Sequence, residues 1–417
     1  MKYLALLLMI VAQAACAAPQ EIDDHHWTGV ERIIAIGDIH GDYENYMTIL
    51  KSAELVNNKG KWIGGKTHLV QTGDVPDRGP DTLKIIEHLR KLTKQAKKKG
   101  GRVHTLIGNH EAMNVHGDLR YVTAGEYEAF VDKNSEKLRE RYFEIVMETM
   151  LKNDPDAFNA LPQNMREEWE RDHPLGWLEH RQAWNPAWNP EAELAAWIFE
   201  RKVAIQINDL IFLHGGISGF YCQNTLQSLT EKVVARLKMN DPSDSGILYD
   251  DFGPLWYRGL SGTKPEADPA TVSAILENHS AKHIVVGHTV TGGVIWPRYD
   301  GRVVQIDTGI AAAYGGNMGY LEITEEGLFG GYPEGKVKLP DDDEGRVAYL
   351  EQVMALYPNN ARLIKLLESL TVVEDEAVLA ESANVEDQAP GSGEAIAEGT
   401  ESAVEKSVEI PICGISP

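Results

Sequence analysis

The segment Gly37-Asp38-Ile39-His40-Gly41 decides the fold class of this 417-residue chain. It follows residues 32–36, Arg-Ile-Ile-Ala-Ile, an apolar run with the length and composition of a buried β-strand. Glycine lets the backbone turn sharply at the end of such a strand, so that the next side chain can point into the crevice where α/β sheets bind ligands. A strand that ends in Gly, Asp and His therefore predicts a ligand site at one edge of an α/β sheet.

The same arrangement recurs along the chain. Further strands are predicted at residues 67–71, 102–107, 203–207, 210–213, 283–286 and 303–306, and amphipathic helices at residues 43–55 and 81–99. Four of these strands end in a comparable way, at Gly73-Asp74, Gly108-Asn109-His110, His214 and Gly287-His288. Strands that alternate with longer amphipathic segments are typical of α/β proteins, which is the fold class predicted here.

Six of the side chains at these strand ends are candidate metal ligands. Imidazole, carboxylate and amide oxygen groups suit divalent ions such as Mn, Fe or Zn. Each residue alone has an ordinary alternative, such as a turn, a helix cap or a core histidine. Together they predict two divalent metal ions that share one bridging carboxylate, and the predicted ligands are Asp38, His40, Asp74, Asn109, His214 and His288.

The remaining histidines, His110 aside, do not share this context. We interpret them as surface or structural residues: His25, His26, His68, His88, His104, His116, His173, His180, His279 and His283.

The charge of the chain excludes one class of partner. Its 40 Lys and Arg residues against 63 Asp and Glu residues give a formal net charge of −23. Nucleic-acid binding requires Lys and Arg to neutralise phosphates, so no nucleic-acid partner is predicted. Phosphate chemistry in such an acidic protein needs local cations, which agrees with the predicted metal ions. The composition, 43% hydrophobic and 25% charged, excludes disorder of the whole chain.

Four segments are predicted along the chain. Residues 1–18 have the basic, apolar and small-residue order of a secretory signal peptide, which predicts a periplasmic or secreted protein without a transmembrane helix. Lipid anchoring through Cys16 is the alternative. An α/β domain at residues 30–335, with an insertion at about 115–201, precedes a helical extension at 336–371. An acidic disordered tail is expected at 372–417.

Two features of the chain leave alternatives open. The insertion carries five tryptophans, which either pack a helical subdomain onto the core or line a substrate cleft: Trp169, Trp177, Trp184, Trp188 and Trp197. Cys222 and Cys413 can form a disulfide in an oxidising compartment, but the sequence does not decide their pairing. It does not decide the oligomeric state either.

Three motif blocks give the chain a family resemblance. Residues 37–41, residues 73–79 (Gly-Asp-Val-Pro-Asp-Arg-Gly) and residues 108–111 (Gly-Asn-His-Glu) resemble the signature blocks of PPP-type phosphoesterases of the calcineurin-like metallophosphatase superfamily. His214-Gly215-Gly216 and Gly287-His288 resemble its later histidine motifs. Together with the signal peptide and the insertion, residues 253–259 and 306–309 make the chain similar to the Shewanella-like protein phosphatases.

This resemblance implies a four-layer α/β/β/α sandwich with a helical Trp-rich insertion. It also implies a phosphoprotein phosphatase whose substrate is a phosphorylated protein or peptide, with phosphotyrosine and phosphoserine or phosphothreonine both open. One metal would be held by Asp38, His40 and Asp74, and the second by Asp74 together with the other predicted ligands, Asn109, His214 and His288. The metal pair would activate water for attack on phosphorus.

The resemblance further assigns roles to residues that are not ligands. His110 would be the general acid that protonates the leaving group, oriented by Asp77. Arg78 would bind the phosphate through its planar guanidinium, and Arg258 is a second candidate for this role. Tyr314 is a weaker candidate for a residue that overhangs the site.

Two rival functions remain at this point. A phosphodiesterase or a dinucleotide-polyphosphate hydrolase would use the same metal centre. A non-catalytic binding module would keep the fold, but the presence of His110, Asp77 and Arg78 argues against it.

Overall fold

The computed structural model describes residues 20–239, 241, 246–371 and 410–413. The expected signal peptide, including Cys16, and most of the expected acidic tail lie outside these residues. Within the described ranges, no helix has both the length and the apolar character needed to cross a membrane.

Thirteen strands form two sheets in the described part of the chain. Along the chain they are β1 Gln20–Asp23, β2 His26–Thr28, β3 Ile33–Ile36, β4 His68–Gln71, β5 Arg102–Thr105, β6 Ala204–Ile207, β7 Leu210–Leu213, β8 His283–Val286, β9 Trp296–Arg298, β10 Val303–Gln305, β11 Tyr320–Thr324, β12 Gly327–Tyr332 and β13 Gly335–Lys338. One sheet has the order β1-β2-β6-β7-β8-β10-β9, and the other has the order β13-β12-β11-β3-β4-β5.

Each sheet contains three parallel strands whose carboxyl ends lie toward the candidate ligands. Strands β3, β4 and β5 are parallel neighbours in one sheet, and β7, β8 and β10 are parallel neighbours in the other. The carboxyl ends of parallel strands meet at the same edge of a sheet. The loops that follow these six strands therefore lie at two such edges, where ligands bind in α/β sheets.

The alternation of side chains along the strands builds the layers. In β3, Ile33 and Ala35 face a core between the sheets, whereas Ile34 and Ile36 face the helices outside. In β7, Phe212 faces the core between the sheets and Leu213 faces the helices outside. Both faces of these strands are buried, which explains their continuous apolar sequence. The predicted four-layer α/β/β/α architecture is confirmed.

The helices cover the outer faces of the sheets and form the insertion. They are α1 Tyr43–Ser52, α2 Thr82–Lys97, α3 Asn109–His116, α4 Ala124–Glu128, α5 Ser135–Asn153, α6 Pro155–Asn159, α7 Met165–Asp172, α8 Trp177–Trp184, α9 Glu193–Phe199, α10 Leu226–Met239, α11 Gly246–Tyr249, α12 Pro269–His279 and α13 Arg346–Leu356, and residues 361–371 are also helical. Leu50 of α1 and Leu229 of α10 are fully buried in the core outside the sheets.

The tryptophans of the insertion pack rather than line the cleft. Trp177 and Trp184 are buried. Trp177 and Trp188 contact each other and Tyr142, and the Arg181 guanidinium lies over both indole rings. Cation–π and edge-to-face contacts of this kind stabilise a small aromatic core. The structure thus favours packing, one of the two alternatives left open by the sequence.

The C-terminal end of the chain is attached to the domain. Cys222 and Cys413 form a disulfide, which resolves the pairing that the sequence left open. The backbone N–H of Cys413 also donates to the Thr271 hydroxyl at 3.3 Å. Residues 410–413 are therefore fixed in place, which differs from the disordered tail expected to extend to residue 417. The other segment boundaries stay predictions.

Candidate metal centre

The loops after five strands bring all six predicted ligands together. Asp38 and His40 follow β3, Asp74 follows β4, and Asn109 begins the helix after β5; the loops after β7 and β8 contribute His214 and His288. All six side chains are buried. His40, Asp74 and His110 form one group that can hold a metal ion, and Asp74, His214 and His288 form another. Asp74 belongs to both groups, as a bridging ligand must. The first group thus contains His110 where the prediction has Asp38, and the roles of all these residues stay predictions.

The backbone at this centre is strained. His40, Asp74 and His288 have φ values of 48°, 59° and 63°, in the left-handed region that non-glycine residues rarely adopt. Such residues persist where the surrounding structure holds them, and they cluster at functional sites. The loops after β4 and β5 also lie very close to each other, because a side chain at Gly108 would collide with the carboxylate of Asp74. Glycine is required at this position.

The second group consists of acceptor atoms that need a cation. The Nδ1 atom of His214 lies 3.1 Å from the Thr72 carbonyl, which only accepts, so the proton of this imidazole is on Nδ1. Its Nε2 atom lies 2.8 Å from Oδ1 of Asn109 and 3.4 Å from Oδ2 of Asp74. In the neutral imidazole, the form that binds metals, these three atoms are all acceptors. A divalent cation fits this donor set.

Asp38, His40 and Asp74, the predicted ligands of the first metal ion, have the same character. The Nδ1 atom of His40 donates to the Pro76 carbonyl at 3.0 Å, which leaves Nε2 free to bind a metal. That Nε2 atom lies 3.7 Å from Oδ2 of Asp74 and 4.0 Å from Oδ2 of Asp38. Burial lowers the pKa of His40 to about 3, so the imidazole is neutral, which is the form that binds metals.

Three buried carboxyl groups create a negative field in the centre. Burial and the nearby charges of Asp307 and Asp74 raise the pKa of Asp38 well above its usual value. Burial also raises the pKa of Asp307 to about 6. Like charges this close disfavour ionisation, and bound cations remove that penalty. Asp307 follows β10 and lines the same cavity, but it is absent from the predicted ligands, because Ile306 and not a glycine precedes it.

Glu111 supports the bridging ligand from behind. Its carboxylate accepts hydrogen bonds from the backbone N–H groups of Asp74 and Val75, both at 2.9 Å, and from Gly108 at 2.8 Å. Burial and then the charge of Asp74 raise the pKa of Glu111 to about 7. This residue ties the loop after β4 to the loop after β5, a role that the motif alone does not reveal.

His110 is held in a fixed orientation beside the ligands. Its Nδ1 atom lies 2.5 Å from Oδ2 of Asp77, and the other oxygen of Asp77 accepts from the Asn114 side chain at 2.9 Å. Burial lowers the pKa of His110, but the charge of Asp74 and the hydrogen bond to Asp77 outweigh this effect and raise it. The Nε2 atom lies 3.8 Å from Oδ2 of Asp74, and the raised pKa favours the protonated imidazole, in which this atom carries a proton.

Two arginines line the cavity above the ligands, a space of about 340 Å³. The Arg78 guanidinium lies 3.8 Å from the centre of the Tyr121 ring and 5.6 Å from that of Tyr314. Arg258 donates to the carbonyl of His288 and, at 3.1 Å, to Thr289. Neither arginine has a carboxylate partner among the described residues. Two such cations beside a carboxylate cluster form a binding site for an anion such as phosphate.

The cavity also contains residues that were not predicted. Tyr121 of the insertion and Trp256 contribute aromatic walls, and Tyr314, a weaker candidate in the sequence, lies 5.2 Å from the His40 ring. The five tryptophans of the insertion do not line this cavity. Because Tyr121 reaches the site only through the fold of the insertion, no local motif identifies it.

Comparison with known proteins agrees with this geometry. Residues 31–292 match the family model of the calcineurin-like phosphoesterases. An uncharacterised protein of Schizosaccharomyces pombe is 30% identical to this chain over 70% of it and 77% of that protein. Shewanella-like protein phosphatase 2 of Arabidopsis thaliana is 29% identical over 67% of this chain and 72% of that protein.

A solved structure shares the fold as well. The cold-active protein-tyrosine phosphatase of a psychrophilic Shewanella species is 26% identical, with a TM-score of 0.56 over 76% of this chain and 83% of that one. The family match covers all three motif blocks and both later histidines. The chain therefore belongs to the calcineurin-like metallophosphatase family and is, as its motifs predict, an enzyme that hydrolyses phosphate monoesters.

Proposed function

We propose that this enzyme is a metal-dependent phosphoprotein phosphatase that acts on phosphorylated proteins or peptides. The observation that carries the proposal is the position of His110, bound to Asp77 through Nδ1, beside a cluster of metal-ligating acceptors, with Arg78 and Arg258 above them. This arrangement provides separate groups for binding a phosphate dianion and for protonating the oxygen that leaves it.

The residues of the chain divide the work as follows. The six ligands would hold two divalent ions, Mn, Fe or Zn, which lower the pKa of water and polarise phosphoryl oxygens when bound. Arg78 and Arg258 bind the phosphoryl oxygens and orient the ester. His110 donates the proton on Nε2 to the leaving oxygen, and Asp77 holds the ring and stabilises its charge.

The named relatives support a protein substrate. One is called a Shewanella-like protein phosphatase and the solved neighbour a protein-tyrosine phosphatase. Likeness to a symmetrical bis(5'-nucleosyl)-tetraphosphatase of Buchnera aphidicola is confined to 19% of this chain. Phosphotyrosine and phosphoserine or phosphothreonine substrates therefore both belong to the proposal.

We also propose that the enzyme works outside the cytoplasm. The order of residues 1–18 supports export. The disulfide between Cys222 and Cys413 supports it independently, because such bonds persist in oxidising compartments.

A substrate panel with added Mn tests the proposed function. It compares phosphotyrosine and phosphoserine peptides with bis-p-nitrophenyl phosphate and diadenosine tetraphosphate. We expect the peptides to be hydrolysed fastest, and we expect His110→Asn to keep its metal but to lose about 100-fold or more in kcat. His26→Asn, at a partly exposed position in β2, is the control and should behave as wild type. Faster hydrolysis of the diester or the dinucleotide would contradict the proposal.

A further inference from the structure

Glu126 is a buried carboxylate that the proposed mechanism does not use. It lies in the sequence Thr123-Ala124-Gly125-Glu126, a pattern typical of a capping box in which the glutamate turns back to its own helix. Thr123 does cap the helix and accepts from the Glu126 N–H at 3.3 Å. The Glu126 side chain, however, is fully buried, and neither of its oxygens completes a hydrogen bond within the described residues. Burial, and then the charge of Asp77, raise the pKa of this carboxyl group well above its usual value.

The groups that face Glu126 belong to the catalytic loop and to the insertion. The backbone N–H of Asp77 and the hydroxyl of Thr82 lie near its carboxyl group, although neither completes a hydrogen bond to it. On the other side, Nε2 of His180 lies 3.9 Å from Oε1 of Glu126. Burial lowers the pKa of His180 to about 3, so this imidazole is neutral, and it is enclosed by the rings of Tyr127 and Phe130.

The loop that Glu126 faces is strained. Asp77 and Arg78 have φ values of 72° and 66°, two successive non-glycine residues in the left-handed region. Such a conformation persists only where neighbouring groups hold it. The two residues carry the hydrogen-bond partner of His110 and the phosphate-binding guanidinium, so their conformation sets the geometry of both functions.

The insertion holds this turn at several points. The Arg78 N–H donates to the Tyr121 carbonyl at 3.0 Å, and the Thr123 hydroxyl donates to the Gly79 carbonyl at 3.3 Å. A side chain at Gly125 would collide with Pro80, so the helix lies directly on the loop. The Glu126 carboxyl group, on the same helix, lies near Asp77 itself.

We infer that Glu126 is a positioning residue, whose buried carboxyl group fills the space between the Asp77–Arg78 turn and His180 and so supports the turn from the side of the insertion. The inference rests on the proposed function, because it assigns Glu126 to the support of His110 and Arg78. The insertion is thereby part of the catalytic apparatus and not only a cover over the core.

A pair of variants of similar size separates this role from simple packing. Glu126→Gln keeps an oxygen that faces the Asp77 N–H, whereas Glu126→Leu has no acceptor. We expect Glu126→Leu to lose about 10- to 100-fold in kcat on phenyl phosphate and clearly less on p-nitrophenyl phosphate. A displaced general acid matters more when the leaving group is poor. Glu126→Gln should recover most of the loss, and inhibition by inorganic phosphate should weaken in Glu126→Leu.

The control loosens the insertion without touching the turn. Leu178→Ala removes a buried side chain from the small core around Tyr127 and Trp177, and its effect should be equal on both substrates. If Glu126→Leu does not fold, His180→Phe replaces it in the comparison of kcat on the two substrates. This variant removes Nε2 and keeps an aromatic ring at the position.

The outcomes distinguish this inference from the proposed function. An unchanged ratio of the two kcat values in Glu126→Leu, or in His180→Phe if that variant is needed, would overturn the inference and leave the proposed function intact. A wild-type enzyme that hydrolyses neither substrate with Mn would overturn the proposed function itself.

Discussion

Replacement of Asp77 by Asn tests the acid catalysis quantitatively. The substitution keeps the size of the side chain but removes the negative charge that lies 2.5 Å from Nδ1 of His110. A hydrogen bond to a charged group contributes about 1.5–3 kcal/mol. One pKa unit corresponds to about 1.36 kcal/mol, so the pKa of His110 should fall by about 1–2 units in Asp77→Asn.

The direction of the pH dependence follows from the role of the residue. Burial lowers the pKa of His110, and the charge of Asp74 and the bond to Asp77 raise it above the usual value. Because His110 acts in its protonated form, kcat falls as the pH rises through this pKa. Asp77→Asn should therefore move the basic limb of the profile to lower pH, by about 1–2 pH units, and should leave the metal content unchanged.

The assay is kcat for phenyl phosphate from about pH 5 to pH 9, the range in which imidazole titrates. Asp118→Asn is the control, since this carboxylate pairs with exposed Arg120 and not with the metal centre. A basic limb that stays in place or moves to higher pH in Asp77→Asn would refute the assignment of His110 as the acid.

Three further predictions concern the metal, the phosphate and the disulfide. Asp74→Asn removes the carboxylate that belongs to both metal groups. Metal analysis should find less than one ion per chain, and the phosphatase assay should show no measurable turnover. Two retained ions would contradict the bridging role. Arg78→Ala should weaken inhibition by inorganic phosphate about 10- to 100-fold, while an unchanged inhibition constant would exclude Arg78 from phosphate binding. Cys222→Ser should lower the free energy of unfolding by about 2–5 kcal/mol in urea titrations, and a reductant should lower that of wild type but not that of the variant.

The ligands could be predicted from the sequence because their positions depend on local structure. A buried strand that ends in glycine exposes the next side chain at the sheet edge, and this rule located Asp38 and Asp74. The rule does not reach Asp307, which lies in the cavity after β10 but follows Ile306 and not a glycine. Its absence from the predicted set is therefore a limit of the pattern.

Other parts of the site depend on contacts between distant segments. Tyr121 stacks on Arg78 only because the insertion folds back over the loop. The capping-box pattern at Glu126 predicts a local role, yet tertiary packing places this side chain against Asp77. The pairing of Cys222 with Cys413 spans 191 residues, and no local pattern encodes such a separation.

The central claim is that six buried side chains at the strand ends hold two divalent ions. The most direct measurement is anomalous scattering from crystals of the full chain soaked in Mn. The account predicts two peaks roughly 3.5–4 Å apart, with the Asp74 carboxylate between them. A single peak away from Asp74, or no peak after soaking in excess Mn, would contradict it.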